Sequence, residues 1–362
     1  MKKILCGTLV LILSCNSFAS NINPEVTRNK KSPSDSALGL SWSKRNTAGV
    51  SFLTSSTDTE VKEVKTKEVT LSGIAPYVFY HYDFFSTEFF YNKSTSESKP
   101  VNSTKTESDI TLPSLKTAFR VSDMFAIVAS YDKTDLDIKT TAEATDKGFS
   151  LGVSFKPTAN LVTGIEIQKR TYKVEYYSNS KTYDVDYNTL NLGLGYESKE
   201  GENVYSIEAA LKITPEKKGD VKSGAFVYQE KVNELNVQGT IIKNEWQYDG
   251  EAFFNKTEDN YDTTKSETSV FSMSHSLEYL VTPNFYLLPT LTSSYTTKTI
   301  FSVSSREIKT RETKLDFEAG YRTTALDLSA GFGLGGSTAE ENNKDDTEGY
   351  LTSFNINLAY FF

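Results

Sequence analysis

The chain closes on LTSFNINLAYFF, Leu351 to Phe362. A chain end normally frays into water and gains nothing from aromatic side chains. Here Phe354, Ile356, Leu358, Tyr360 and Phe362 take every second position, with Ser353, Asn355, Asn357 and Ala359 between them. A period of two places alternate side chains on opposite faces of a strand. The stretch therefore predicts a strand with one apolar face and one small or polar face.

The same alternation runs back through the chain. Phe125, Ile127, Ala129 and Tyr131 share a parity, as do Phe149, Leu151, Val153 and Phe155. Leu190, Leu192, Leu194 and Tyr196 repeat it, and so do Leu326, Leu328, Ala330, Phe332 and Leu334. No apolar run reaches 18 residues, so no spanning helix is predicted. Mean hydropathy is −0.42, which looks soluble. A barrel wall that alternates lipid-facing and lumen-facing residues has that same average. Aromatics make up 12% of the chain, with 22 Phe and 21 Tyr against 9 Pro and 3 Met.

The opposite end of the chain reads differently. Lys2 and Lys3 precede a short apolar stretch from Ile4 to Leu13, and Ser17-Phe18-Ala19 offers small residues at a cleavage site. This predicts a secretory signal over residues 1–19. A lipoprotein cut before Cys15 is the competing reading. With the signal gone, both cysteines, Cys6 and Cys15, are gone too, and disulfides and thiolate chemistry with them. Loss of Lys2 and Lys3 moves the formal charge from −8 to −10, the wrong sign for a general nucleic-acid binder. Residues 20–36 are polar and aperiodic and are expected to form a flexible periplasmic lead.

Breaks in the alternation divide residues 37–362 into about 16 strands, although 14 or 18 would also fit. The segments 37–54 and 223–242 are long enough to hide a further turn, and alternation blurs over 285–299. Short connections, such as Tyr82-Asp83-Phe84 and Thr282-Pro283-Asn284, take turns with longer polar stretches near 55–66, 94–107, 139–146, 176–182, 215–222, 257–266, 300–310 and 336–349. An outer-membrane barrel sorts its loops in this way. Unpaired backbone groups cost several kcal/mol each in hydrocarbon, so such strands must close on themselves. The fold class expected is all-β, a transmembrane antiparallel up-and-down β-barrel.

With its signal, its alternating connections and its final aromatic strand, the chain resembles the bacterial outer-membrane β-barrel proteins, of a porin-like kind. The resemblance is architectural and covers nearly all of the mature chain. In that group the last strand ends on an aromatic, and Phe354, Ile356, Leu358, Tyr360 and Phe362 match the pattern. The resemblance implies that this strand is read by the barrel assembly machinery and that the chain resides in the outer membrane, against its lipids.

Parity also assigns an inward face. Glu88, Lys116, Arg120, Glu166, Arg170, Glu208, Lys212, Asp249, Glu251, Glu278, Asp316, Glu318 and Asp327 fall on the face opposite the apolar side chains. A cationic side chain facing lipid at mid-depth costs about 2–4 kcal/mol, so these charges belong to a wet or hydrogen-bonded interior. They serve either to pair across strands or to line a conducting path.

The expected function is passive diffusion of small hydrophilic solutes or ions, with a weak cation bias. A non-conducting structural or surface-display barrel is the alternative. A transporter of hydrophobic substrates would need a plug, and the lead before residue 37 is short and polar. A lipase would have to use His275, yet Ser272, Ser274 and Ser276 have the opposite parity. The run GFGLGG, Gly331 to Gly336, lacks the helix a nucleotide loop requires. Its inward glycines are expected to make room for neighbours. No catalytic residue, metal site or cofactor is expected, and a second copy could pack against the apolar wall.

Overall fold

The structure, a computed structural model, describes residues 46–61, 64–100, 105–139, 141–177, 182–200, 203–220, 227–243, 245–261, 264–301, 305–341 and 344–362. The expected signal, the polar lead and the start of the first predicted strand lie outside these residues. Among those described, sixteen antiparallel strands form one closed barrel and there is no helix. They are β1 (Thr47–Val61), β2 (Val64–Tyr82), β3 (Phe85–Pro100), β4 (Thr106–Arg120), β5 (Phe125–Ile138), β6 (Ala142–Thr158), β7 (Leu161–Tyr176) and β8 (Thr182–Glu200). The second half comprises β9 (Asn203–Asp220), β10 (Val227–Lys243), β11 (Trp246–Tyr261), β12 (Thr264–Leu280), β13 (Phe285–Phe301), β14 (Arg306–Arg322), β15 (Leu326–Glu341) and β16 (Lys344–Phe361). Each strand pairs with its neighbours in sequence. The seam joins β1 to β16, from Thr47 opposite Phe361 to Val61 opposite Thr347.

Of the two segments long enough to hide a turn, 37–54 enters the single strand β1 from Thr47 and 223–242 enters the single strand β10 from Val227, and the blurred 285–299 belongs to the single strand β13. The blur in β13 has a local cause. Pro289 has no N–H to donate, and the β12–β13 ladder skips from Ser276 opposite Thr290 to Tyr279 opposite Leu287. Pro76 and Pro113 coincide with equal gaps, between Ile74 and Tyr77 on β2 and between Thr111 and Ser114 on β4. All three sit on the outward parity, and each interrupts the ladder with one neighbour only.

One expectation is corrected. Most of the polar stretches read as long loops are strand. Glu97 pairs with Glu107, Glu258 with Glu267, Thr299 with Glu307, and Thr338 with Glu348. The tip of the β5–β6 hairpin, read as 139–146, lies between Ile138 and Ala142, and the β9–β10 connection falls after Asp220. The reason is physical. Above the apolar band the outward face turns polar, so the contrast that marks a strand in the sequence fades while backbone pairing continues. Strands of 17 residues run about 58 Å at 3.4 Å per residue and, tilted by roughly 40°, project to about 45 Å. The apolar band needs only about 25 Å of that.

The band is well defined. On β6 the outward Phe149, Leu151 and Val153 are exposed, while the inward Ser150 and Ser154 are completely buried. A girdle of aromatics marks its edge at the end that carries the chain terminus: Tyr82, Phe119, Phe125, Tyr196, Tyr279, Tyr321, Tyr360 and Phe362 are all exposed. Aromatic belts of this sort sit at membrane interfaces. Beyond the band, outward residues become charged. At the β5–β6 tip, Lys139 bridges Glu107 and Asp109, the latter at 3.1 Å, and the two carboxylates hold its ammonium above the ordinary lysine range.

Inside, two strand-to-strand pairs share one device. Tyr77 lies over Gly49, its register partner, and Tyr286 lies over Gly320. A Cβ at either glycine would overlap the tyrosine Cζ and hydroxyl oxygen. Tyr286 cannot swing away, because its hydroxyl donates to Asp327 at 2.9 Å. Gly320→Val is therefore expected to lower stability by about 1–3 kcal/mol. Gly336→Val, where the nearest atom is 3.6 Å from an added Cβ, should stay within about 0.5 kcal/mol of wild type. Urea unfolding of barrels refolded into lipid vesicles reads both.

Candidate functional site

The inner wall carries the polar chemistry of the molecule, and register decides which groups meet. At the end of the barrel near the chain terminus, Arg322 closes β14 and its guanidinium joins two carboxylates. Nε stands 2.7 Å from Asp327, and the two Nη atoms stand 2.9 and 3.0 Å from Glu278. The guanidinium also lies 4.4 Å from the centre of the Tyr286 ring. Glu278 and Asp327 were candidates on parity. Arg322 is not among them, since strand ends are the least legible boundaries.

A second cluster spans β5 to β8. Arg170 reaches Asp132 at 2.6 Å and Asp146 at 3.1 Å. Gln168 donates to Asp132 at 2.6 Å, and Tyr187 donates to Asp146 at 2.8 Å. Neither aspartate was among the candidates. Asp132 has the inward parity of Ser130 and could have been found. Asp146 lay in a stretch read as loop.

The remaining candidates divide by partner. Glu88 pairs with Lys116 at 3.4 Å, and Lys212 pairs with Glu234 at 3.1 Å. Asp316 accepts from Lys314 at 2.7 Å and from Ser353 at 3.1 Å. Arg120 turns to the end of the barrel, onto the Asp83 carbonyl, with His81 Nε2 at 3.5 Å. Glu208 is buried on β9.

Four carboxylates are held by neutral donors. Glu166, only 1% exposed, accepts from Ser130 at 3.2 Å and from Ser150, with Asn191 at 3.5 Å. Glu251 accepts from Asn236 at 2.9 Å and Gln238 at 3.3 Å. Glu318 accepts from Asn355 at 2.8 Å and Asn357 at 3.2 Å. Asp249 takes Thr240 at 2.6 Å and Gln247 at 2.8 Å. Amide and hydroxyl donors hold an anion in place without cancelling its charge.

The inner wall is not uniform around the barrel. Along β5 to β8, Val128, Ser130, Ser150, Ser154, Glu166, Gln168 and Thr189 are all buried. Towards the loop end, Ile110, Leu136, Ile138, Ala142, Val174, Val185 and Tyr187 are also buried, and form two inward apolar clusters. Across the barrel the exposure rises. Ser272, Ser274 and Ser276 on β12, Thr290 and Thr292 on β13, Lys314 to Glu318 on β14, and Ser353 to Asn357 on β16 all keep partial solvent contact on their inward side. Ser276 meets Thr290 at 2.9 Å, and Ser274 meets Thr292 at 3.4 Å.

The glycines of GFGLGG belong to this wetter side. A Cβ at Gly331 would stand 2.5 Å from Asn355 Oδ1, and one at Gly333 would fall on Asp316. Side chains from β14 and β16 occupy the space these glycines leave. The pairing a lipase would need does not form. His275 is exposed on the outer surface, where its Nδ1 meets the Tyr248 hydroxyl at 2.6 Å. The hydroxyls of Ser274 and Ser276 lie on the other side of the wall.

No family model matches the chain, and no curated relative matches it. Among solved structures it is similar to Pseudomonas aeruginosa OpdQ, at 12% identity over 88% of this chain and 100% of that one, with a TM-score of 0.41. It is also similar to Acinetobacter baumannii OccAB2, at 12% identity over 89% and 99%, TM-score 0.39. The TodX monoaromatic hydrocarbon channel deltaS2 mutant is 11% identical over 90% and 92%, TM-score 0.40. These likenesses are distant, and nothing is carried from them to this chain.

Proposed function

We propose that this chain is an outer-membrane channel through which small hydrophilic solutes or ions diffuse passively, with a weak preference for cations. One observation carries the reading. A circumference of 16 strands, wide enough for an aqueous path, keeps a side of its inner wall in contact with solvent, and that side is built from hydroxyls, amides and carboxylates. The export signal over residues 1–19, the polar lead over 20–36 and the aromatic end of β16 as a signal to the assembly machinery belong to the same proposal. They fit a barrel whose 37–362 region returns both of its ends to the periplasm.

Cation preference would come from carboxylates whose charge is not cancelled nearby. Glu251 qualifies, since amides hold it, and Glu318 comes next, held by amides with Arg322 acting on it only through space. Asp327 and Asp316 stand beside Arg322 and Lys314 and should contribute less. The expected outcome is that Glu251→Gln with Glu318→Gln lowers the cation-to-anion permeability ratio, while Asp327→Asn leaves it closer to wild type. Reversal potentials across a planar bilayer under a salt gradient read this directly. An unchanged ratio in the double variant would remove those residues from the path.

A second reading has support of its own. The buried inner wall of β5 to β8 and its apolar clusters near the loop end are what a filled, non-conducting barrel would show. Single-channel recording separates the two. Discrete conducting steps from purified, heat-modifiable protein support the channel, and a silent bilayer supports the filled barrel.

A further inference from the structure

Ranked by height, the outward residues show an asymmetry that folding does not require. On each strand the apolar band ends at a first polar residue on the loop side. On β3, β5, β6 and β7 that residue is a lysine: Lys93, Lys133, Lys147 and Lys169. Outside this arc, on β1, β2 and β13 to β16, the same level holds Thr54, Ser72, Ser293, Thr313, Gly336 and Thr352. A collar serving only solubility would have no reason to gather its cations on one arc. Among the described residues Lys256 also stands at this level, and it is engaged with Glu258 at 3.0 Å.

The register makes the arc dense. Lys133 and Lys147 are direct partners across β5 and β6, a spacing at which like charges repel. Lys147 is opposite Thr171, so Lys169, two residues along β7, is its diagonal neighbour. Lys93 is opposite Thr111 on β4. Asp135 engages Lys133 at 2.7 Å and offsets part of the repulsion. Lys93, Lys147 and Lys169 are exposed. Directly below stand Tyr131, Phe149 and Ile167, exposed apolar side chains of the band. Acidic residues occur higher on the same outer face, where Thr95, Thr145 and Thr171 hold Asp109, Asp135 and Asp186 at 2.7, 2.8 and 2.6 Å.

We propose that Lys93, Lys133, Lys147 and Lys169 form a binding site for the phosphate groups of a membrane lipid headgroup, with acyl chains lying on Tyr131, Phe149 and Ile167. The height selects a lipid over a soluble anion, because these lysines stand where hydrocarbon gives way to headgroups. The number of ammonium groups suits a headgroup with more than one phosphate. A lysine near an anionic membrane surface strengthens attachment roughly five-fold, and Lys133 adds less because Asp135 already engages it. The site is independent of whether the barrel conducts.

The test uses the refolded full-length barrel in detergent, titrated with a bis-phosphorylated diglucosamine lipid and read by native mass spectrometry. Lys93→Gln/Lys133→Gln/Lys147→Gln/Lys169→Gln should weaken binding at least tenfold. A control that removes charge higher on the wall, Lys139→Gln/Lys173→Gln, should bind like wild type. Lys147→Gln alone keeps the test open if the quadruple variant refolds poorly, with a smaller loss expected. The dephosphorylated lipid should bind wild type and variant equally weakly. The proposal is overturned if the quadruple variant binds like wild type, if removing the phosphates leaves wild-type affinity intact, or if inorganic phosphate at the same concentration displaces the lipid.

Discussion

Arg322→Ala should cost the barrel about 3–5 kcal/mol, the range for breaking a buried ion pair by removing one partner. The expectation rests on what Arg322 leaves behind. Glu278 is 2% exposed and receives both Nη atoms, and Asp327 receives Nε. Without the guanidinium, two carboxylates share one dry region of the inner wall, and Tyr286 alone remains to donate to Asp327. Asp327 cannot turn to bulk water without giving up Tyr286, which is seated over Gly320. The triple variant Arg322→Met/Glu278→Gln/Asp327→Asn should recover most of the loss, because it removes the charges together. Urea midpoints of barrels refolded into vesicles measure both. A wild-type midpoint for Arg322→Ala would show that the cluster does not hold this end of the wall.

Leu151→Arg should cost about 2–4 kcal/mol, the penalty for a cation on the lipid face near mid-depth. Leu151 is outward on β6 and 58% exposed, with Phe149 and Val153 on either side of it on the same face. The inward residue beside it, Ser150, is packed against Ser130 and Glu166, so a longer side chain at 151 has no route through the wall. Lys147→Arg, two outward positions towards the loop end, should stay within about 0.5 kcal/mol of wild type. The comparison places the band by free energy. Equal unfolding midpoints for the two variants in vesicles would show that β6 does not face hydrocarbon there.

What the sequence revealed follows the boundary between two media. Where one face meets lipid and the other does not, alternation is sharp, and strand identity, facing and the sixteen-fold count could be read from residues such as Phe149, Ser150 and Leu151. Above the band that contrast vanishes, so Glu97 and Glu107 looked like loop although they are paired strand. Parity assigned inward charges but could not say what they meet. Arg170 finds Asp132 two strands away on β5, a relation set by register and stagger around the barrel. The arc of lysines needed height as well as parity, and height emerges only when all sixteen strands stand side by side.

The seam between β1 and β16 also sets an order of events. Thr47 meets Phe361, and Phe52 meets Ile356, so these partners come from opposite ends of the described chain. Every other strand finds its neighbour a hairpin away, and closing a loop of this size is a slow, entropically opposed step. Until it happens, β1 and β16 each present a full row of unpaired backbone groups, a template for any other extended chain. A copy whose synthesis stops before β16 is thus an open sheet with two adhesive edges. The sixteenth strand is the one that ends that hazard.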